Sequence, residues 1–326
     1  SFLAFLFLSL GFFILKDKVS HWFGLDKNIV LLLTLFSGVR VISLVTLGIL
    51  QVTGRAMQFA CYSISQAILE LTLSYILVVS FQYGYLGRLE GVTAAFFISS
   101  IIGFYILYHT NYLGEINLRY SRKILKFGVP LIPHVIGGTI MALSDRYFIS
   151  YFIDNKSVGL YTIAYQMSAI MLLISMSINQ AWSPVLFKLL KGKKFNLAIK
   201  ISFVFIGVFI LSGLCLYLLR DLLFDLFVDE SYWGAKKYYL LLLVGFVFQS
   251  LYFIVTNLLF FEKQTKLLAI ITFLGACINI GLNYLLINKF GVIGVAYATS
   301  ITWCIFFMSC WSKYGYRTLP IDFFYL

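Results

Sequence analysis

The sequence predicts an all-α, polytopic membrane protein, and three observations carry that prediction. The first is composition: of 326 residues 61% are hydrophobic and 18% aromatic, only 12% are charged, and the mean hydropathy is +0.93. A soluble domain needs a largely polar shell, so a chain this apolar uses lipid as its solvent. The second is continuity. Apolar runs cover Ile29–Val52, Ala56–Phe81, Gly91–Leu113, Phe127–Ile153, Val158–Leu190, Ile201–Leu219, Tyr238–Phe261, Leu267–Ile287 and Val292–Trp311. Each has about the 20 residues a helix needs to cross hydrocarbon, and none alternates as a barrel strand would. The third is an internal repeat, which divides the runs into two related sets.

Taken in order, the chain opens on Ser1–Leu15, apolar from its first residue but too short to span. It has neither the basic start nor the small-residue cleavage site of a signal peptide. The expectation is a first helix cut into, which makes ten helices with the nine full runs. Val158–Leu190 is overlong and is expected to end near Pro184, with its tail at the interface.

The loops give orientation. Alternate loops from Arg55 onward hold fourteen bases against three acids, Glu115, Glu262 and Asp322, while the opposite set holds nine bases and eight acids. By the positive-inside rule the first set is cytoplasmic, and so is the C-terminus. This split also explains the net charge of +12 without nucleic acid as a partner. Cys61, Cys215, Cys277, Cys304 and Cys310 lie inside apolar runs with no CxxC, and read as small core residues rather than disulfides or metal ligands.

In the repeat, Gly54–Val78 lies over Lys263–Ile287, with Ser74-Tyr75 on Asn283-Tyr284, and Gly91-Val92-Thr93-Ala94 then meets Gly294-Val295-Ala296-Tyr297. The runs that open the chain match those from Ile201 onward. The second copy has six helices and the first has four, so two are expected before Ser1. Residues 1–116 are then the remnant of a first lobe and 117–326 the second lobe, of a plan with two parallel six-helix lobes and a site between them.

The most informative stretch is Phe127–Leu190. It holds Gly128-Val129-Pro130-Leu131-Ile132-Pro133-His134, Ser144-Asp145-Arg146-Tyr147-Phe148-Ile149, Gly159-Leu160-Tyr161, Ala164-Tyr165 and Ala181-Trp182-Ser183-Pro184. These residues resemble the polysaccharide (O-antigen and capsule) flippases of the multidrug/oligosaccharidyl-lipid/polysaccharide (MOP) exporter superfamily. The resemblance implies a two-lobed MATE-like helical bundle of twelve helices, of which about ten are present, with helices 3–6 in residues 1–116 and 7–12 in 117–326. It implies alternating access on an undecaprenyl-diphosphate-linked oligosaccharide in the bacterial inner membrane. A polysaccharide polymerase and a chain-length regulator are the partners it suggests, beside membrane lipids.

No catalytic constellation is visible: His21, His109 and His134 are far apart, and there is no HExxH, G-x-S-x-G or P-loop. The chemistry left is charge inside the membrane, which is costly and usually has a use. Arg40 and Glu70 lie 14 and 16 positions from the Gly54 turn, hence at similar depth on neighbouring helices. They read either as a structural ion pair or as an anion-binding arginine for the diphosphate beside a protonatable switch. Asp145 and Arg146 are about 100° apart on a helix and cannot face the same way. Either they form a helix-end pair, or Arg146 is a second anion contact and Asp145 a site for a coupling ion, H+ or Na+. Across a cavity between lobes they would be companions of Arg40 and Glu70.

His134 reads first as a hydrogen-bonded structural histidine and second as a proton relay. Pro130 and Pro133 should bend their helix and mark a hinge. Gln166, Asn179 and Asn257 are polar residues in spans, suited to interhelical hydrogen bonds or to sugar hydroxyls. Ile116–Lys126 and Leu186–Lys200 are basic and amphipathic, as surface helices on anionic lipid would be. Neither cofactor nor metal is expected. The rival functions are a multidrug exporter of the same fold, which calls for an acidic cavity, and a membrane glycosyltransferase or polymerase, which calls for a large outer loop with carboxylates.

Overall fold

The computed structural model describes residues 16–18, 20, 26–110, 112 and 118–314, and the elements among them are helical. Nine helical stretches among these residues are long and apolar enough to cross a membrane, one for each full-length apolar run. The run Ser1–Leu15 lies outside the described residues. The chain divides into two compact units, residues 1–116 and 117–326.

In the first unit, α1 (Lys27–Val52) starts at Asp26, whose Oδ1 accepts a hydrogen bond from the Asn28 amide at 3.0 Å. Gly54, with φ of 72°, turns the chain into α2 (Ala56–Tyr75), which ends in a π-turn at Ile76–Ser80. The third helix, α3, runs Gly84–His109 and packs along both α1 and α2, which touch each other less. A tyrosine pins the trio. The Tyr62 hydroxyl donates to the Ser99 carbonyl at 2.7 Å and lies 3.1 Å from Ser43 Oγ, joining all three helices away from water.

The second unit opens with α4 (Leu118–Gly128) and α5 (Leu131–Phe152). Next come α6 (Asn155–Ser168), α7 (Ile170–Lys191), α8 (Phe195–Leu218) and a short α9 (Arg220–Phe227). A 3-10 turn at Glu230–Ala235 leads to α10 (Lys236–Phe261), α11 (Thr265–Phe290) and α12 (Val292–Tyr314). The core forms around α10, which packs on α6, α7, α8 and α12 and buries Tyr239, Leu242, Leu243 and Phe246. The Tyr239 hydroxyl donates to the Leu216 carbonyl at 3.0 Å, so its polar end is satisfied within the core.

The repeat has a structural counterpart. As α3 serves α1 and α2, α12 packs along both α10 and α11, which barely meet. Close backbone approach adjusts the alignment, however. A Cβ on Gly294 would lie 2.1 Å from the Leu286 carbonyl oxygen, and one on Gly87 would lie 2.9 Å from the Leu77 carbonyl. Leu77 and Leu286 are equivalent in the repeat, so Gly294 matches Gly87, one turn before the expected Gly91. The cause is the start of α3 at Gly84, well ahead of the apolar run that begins at Gly91.

Four further expectations change. The run at Phe127–Ile153 is two helices, because Val129 and Pro130 break the chain between α4 and α5. Pro133 falls in the first turn of α5, where its missing N–H would have had no partner, so it does not bend the helix. The overlong run does not stop at Pro184: the helix is interrupted at Ala169, and α7 continues through Pro184 to Lys191. Leu186–Lys200 is not one surface helix. It is the end of α7, a turn with Lys193 at φ of 57°, and the start of α8.

Candidate functional site

The densest polar cluster inside a span surrounds Asp145. The Ser144–Asp145 step of α5 faces α11, and the side chain of Asp145 is 1% exposed. Three neutral donors reach it. The Tyr161 hydroxyl of α6 donates to Oδ2 at 2.6 Å, and Thr299 Oγ1 of α12 donates to the same oxygen at 2.7 Å. Asn283 Nδ2 of α11 donates to Oδ1 at 2.8 Å. Four helices thus converge on one carboxylate.

A second layer orients the first. Asn279 and Asn283, four apart on α11, point the same way, and Asn283 Nδ2 also lies 3.2 Å from Asn279 Oδ1. Ser144 Oγ donates to that same Oδ1 at 3.1 Å, and Asn279 Nδ2 donates to Thr302 Oγ1 at 3.3 Å. The Oδ1 of Asn283 is buried and has no partner. Every hydrogen bond to Asp145 is one it accepts, the pattern an ionised carboxylate needs. Adding a proton would require one hydroxyl to turn round, and a small cation would meet several oxygens at once.

Arg146 takes the other direction, as the 100° step requires. Its guanidinium lies 4.8 Å from the centroid of the Tyr165 ring, and Nη1 donates to the Ala142 carbonyl at 2.5 Å. A cation over an aromatic face is held there by the ring quadrupole.

His134 Nδ1 is 2.5 Å from Thr272 Oγ1, and that hydroxyl donates to the Leu268 carbonyl at 2.9 Å. With the threonine proton engaged, His134 Nδ1 carries a hydrogen and donates, so the histidine ties α5 to α11. Asn257 Nδ2 donates to Asn179 Oδ1 at 2.7 Å and joins α10 to α7, one of the two roles expected of these residues. Gln166 is exposed on α6.

In the first unit the expected pair does not form. Glu70 lies 3.9 Å from Arg88 of α3, and no ion pair joins it to Arg40 among the described residues. The apolar runs end at Phe81 and resume at Gly91, which leaves Arg88 in a loop, whereas the early start of α3 brings it onto a helix beside α2. Arg40 is instead exposed on α1, beside the edge-to-face pair of Phe36 and Phe96, its guanidinium 5.6 and 5.9 Å from the two ring centroids. An arginine with no ion pair among the described residues, steadied on two rings at mid-span, retains donors for an anion.

Sequence reasoning found Asp145 but missed Tyr161, Asn283 and Thr299 as its partners. One trace was available: Asn279 and Asn283 are polar residues one turn apart in an otherwise apolar run.

The model of the polysaccharide biosynthesis protein family matches residues 1–190, more than half of the chain. The chain belongs to that family. The expected placement among the polysaccharide members of the MOP superfamily is therefore borne out. A second model, that of the MatE family, matches residues 130–285, the part that carries Asp145, Tyr161, Asn279 and Asn283.

A protein of the Lsg locus of Haemophilus influenzae is 23% identical over 265 residues, 76% of this chain. The match spans 65% of the length of that curated relative. Among solved structures, a MATE in its straight conformation superposes with a TM-score of 0.81 at 15% identity, over 98% of this chain and 78% of the other. The Vibrio cholerae MATE transporter VcmN gives 0.78 at 14% identity, over 100% and 78%. A MOP-superfamily transporter of Pyrococcus furiosus, described as having a binding pocket of reversed polarity, gives 0.73 at 15%, over 96% and 77%. These likenesses establish the MATE fold expected from the sequence.

Proposed function

We propose that the whole protein is a flippase that carries an undecaprenyl-diphosphate-linked oligosaccharide across the bacterial inner membrane by alternating access. The observation that carries this reading is the family match combined with the inventory of intramembrane charge. A diphosphate headgroup must cross hydrocarbon, and an arginine exposed at mid-span lowers that barrier by supplying charge-assisted donors. Arg40, beside the rings of Phe36 and Phe96, is the first contact assigned to the diphosphate. Arg146 is the second and would leave Tyr165 to reach it; Gln166, exposed on α6, is left for the sugars, and Asn179 would join it only by releasing Asn257.

Coupling is assigned to Asp145. A single carboxylate on α5, held by three neutral donors on three other helices, takes up a proton or Na+ only by rearranging those donors. Ion binding therefore alters the packing of α5, α6, α11 and α12. Glu70, facing Arg88, is a secondary candidate for a protonatable group, and His134, committed to Thr272, is a weaker one. A multidrug exporter of the same fold is the alternative. It would present acids to cationic drugs, whereas Glu70 faces an arginine and Asp145 faces only donors.

The test is made with the intact gene in a strain whose own copy is deleted. Arg40→Ala and Asp145→Asn should each reduce surface polysaccharide by tenfold or more, an order of magnitude consistent with loss of about 1.4 kcal/mol or more of transport barrier lowering. Both proteins should still reach the membrane. Full display by both variants would overturn the proposal, and altered drug sensitivity with normal polysaccharide would favour the alternative. Transport into vesicles under a Na+ gradient against a pH gradient assigns the ion.

A further inference from the structure

We propose that an apolar slot in the second unit holds one acyl chain of an anionic phospholipid, with the headgroup on the lysine turn between α7 and α8. The slot has a volume of about 160 Å³ and lies between α7, α8, α10 and α12. Leu190, Phe195, Ile199, Leu258 and Trp311 are among the residues that line it. On α8 the lining residues Phe195, Ile199, Ser202 and Ile206 recur every three to four positions, so one whole face of that helix forms a wall.

The end of the slot is basic. Leu190 and Phe195 both line it, and between them the chain reads Lys191-Gly192-Lys193-Lys194, all exposed. This turn is held by its own backbone: the Lys193 amide donates to the Leu190 carbonyl at 3.1 Å and the Lys194 amide to the Leu189 carbonyl at 2.9 Å. Three ammonium groups are thus held within a few residues of the apolar wall. Glu262 also lines the slot, but it accepts a hydrogen bond from Gln264 at 2.7 Å and is followed directly by Lys263. The net field at this end is positive.

An apolar slot ending in clustered lysines matches an amphiphile with a negative head. The occupant assigned is a membrane phospholipid, because the volume suits a short length of a single unbranched chain. A long, branched polyisoprenyl tail is a poorer fit. The inference does not rest on the transport reading, since it concerns a surface that any bilayer lipid reaches.

The test uses the full chain in bilayers of phosphatidylethanolamine doped with phosphatidylglycerol that bears a photoactivatable diazirine near the end of one acyl chain. After irradiation, labelling should concentrate in peptides covering Phe195–Ile206 and Ile254–Glu262. Replacing Lys191, Lys193 and Lys194 by Gln should lower it by about fivefold for each lysine removed. These side chains are exposed, so the variant keeps its fold. Ser202→Phe, which fills the slot, should lower labelling at the same peptides and leave other labelled sites unchanged. Equal labelling by a phosphatidylcholine probe of the same chain, or labelling indifferent to the lysines, would overturn the proposal. Displacement of the probe by polyprenyl phosphate but not by unlabelled phosphatidylglycerol would overturn it too, by assigning the slot to the carrier lipid.

Discussion

At the scale of single residues, a carboxylate at mid-span is tolerable only while its oxygens are occupied. Asp145 has its donors from Tyr161, Thr299 and Asn283 at 2.6, 2.7 and 2.8 Å. Removing one donor leaves part of a buried charge unsatisfied, which costs about 1.5–3 kcal/mol. Tyr161→Phe and Thr299→Val should therefore each lower the unfolding midpoint of the detergent-solubilised protein. Two threonines on the same helix discriminate the cause: Thr302 accepts from Asn279 rather than touching the carboxylate, so Thr302→Ser should change the midpoint little.

Asp154 lies at the loop between α5 and α6 and is exposed. Asp154 caps α6 by accepting from the Ser157 amide at 2.6 Å, and that backbone hydrogen bond holds its carboxyl below the usual carboxylate range. A lowered folded-state value contributes stability above the unfolded value of about 3.9, lost as the pH falls through the folded one. Protection of the Ser157 amide, measured against its intrinsic exchange rate at each pH, should then be lost only at acid pH below that range, and in Asp154→Ala it should be lowered at every pH.

Legibility at this scale was uneven for a physical reason. Position along a run gives depth, and consecutive residues give angle, so the opposed directions of Asp145 and Arg146 could be read. Which helices touch is set by long-range packing. Tyr161, Asn283 and Thr299 lie 16, 138 and 154 residues from Asp145, beyond what periodicity reports.

For the elements, nine full-length runs became nine stretches able to span among the described residues, because hydrocarbon imposes both length and composition. Their ends were less legible. The start of α3 at Gly84 includes Arg88 and Glu90, which hydropathy assigns to a loop. That miss propagated, since it removed Arg88 from consideration as the partner of Glu70. Glycines show where helices touch. Gly294 meets the backbone of α11 at Leu286, where nothing flexible can move aside. Gly294→Ala should destabilise by about 1–3 kcal/mol, in the range for overpacked sites. Gly281, in the middle of α11 and exposed, has nothing within 4 Å of its would-be Cβ. Gly281→Ala should stabilise by about 0.5–1 kcal/mol through helix propensity alone. Thermal unfolding of the two variants side by side checks both signs.

At the scale of the whole molecule, the loop charges predict which ends share a side of the membrane. In a cysteine-free background, Lys193→Cys should react with a membrane-impermeant maleimide only after cells are permeabilised, whereas Ser231→Cys should react in intact cells. Reaction of both from the same side would contradict the positive-inside reading. The repeat was legible because glycine and apolar spacing are shared where identity is not.

The trio itself has a consequence for synthesis. In both units the helix that holds the other two is the last of the three to be made: α3 after α1 and α2, α12 after α10 and α11. In the first unit α1 and α2 touch each other little until α3 arrives; in the second, α10 docks on α6, α7 and α8 and α11 on α5, but the two barely meet until α12 lies along both. The Tyr62 link to Ser99 and the Thr299 link to Asp145 both depend on that late helix. A nascent chain arrested just before α12 would therefore insert without closing the Asp145 cluster, and the last helix to emerge is the latch on the polar centre.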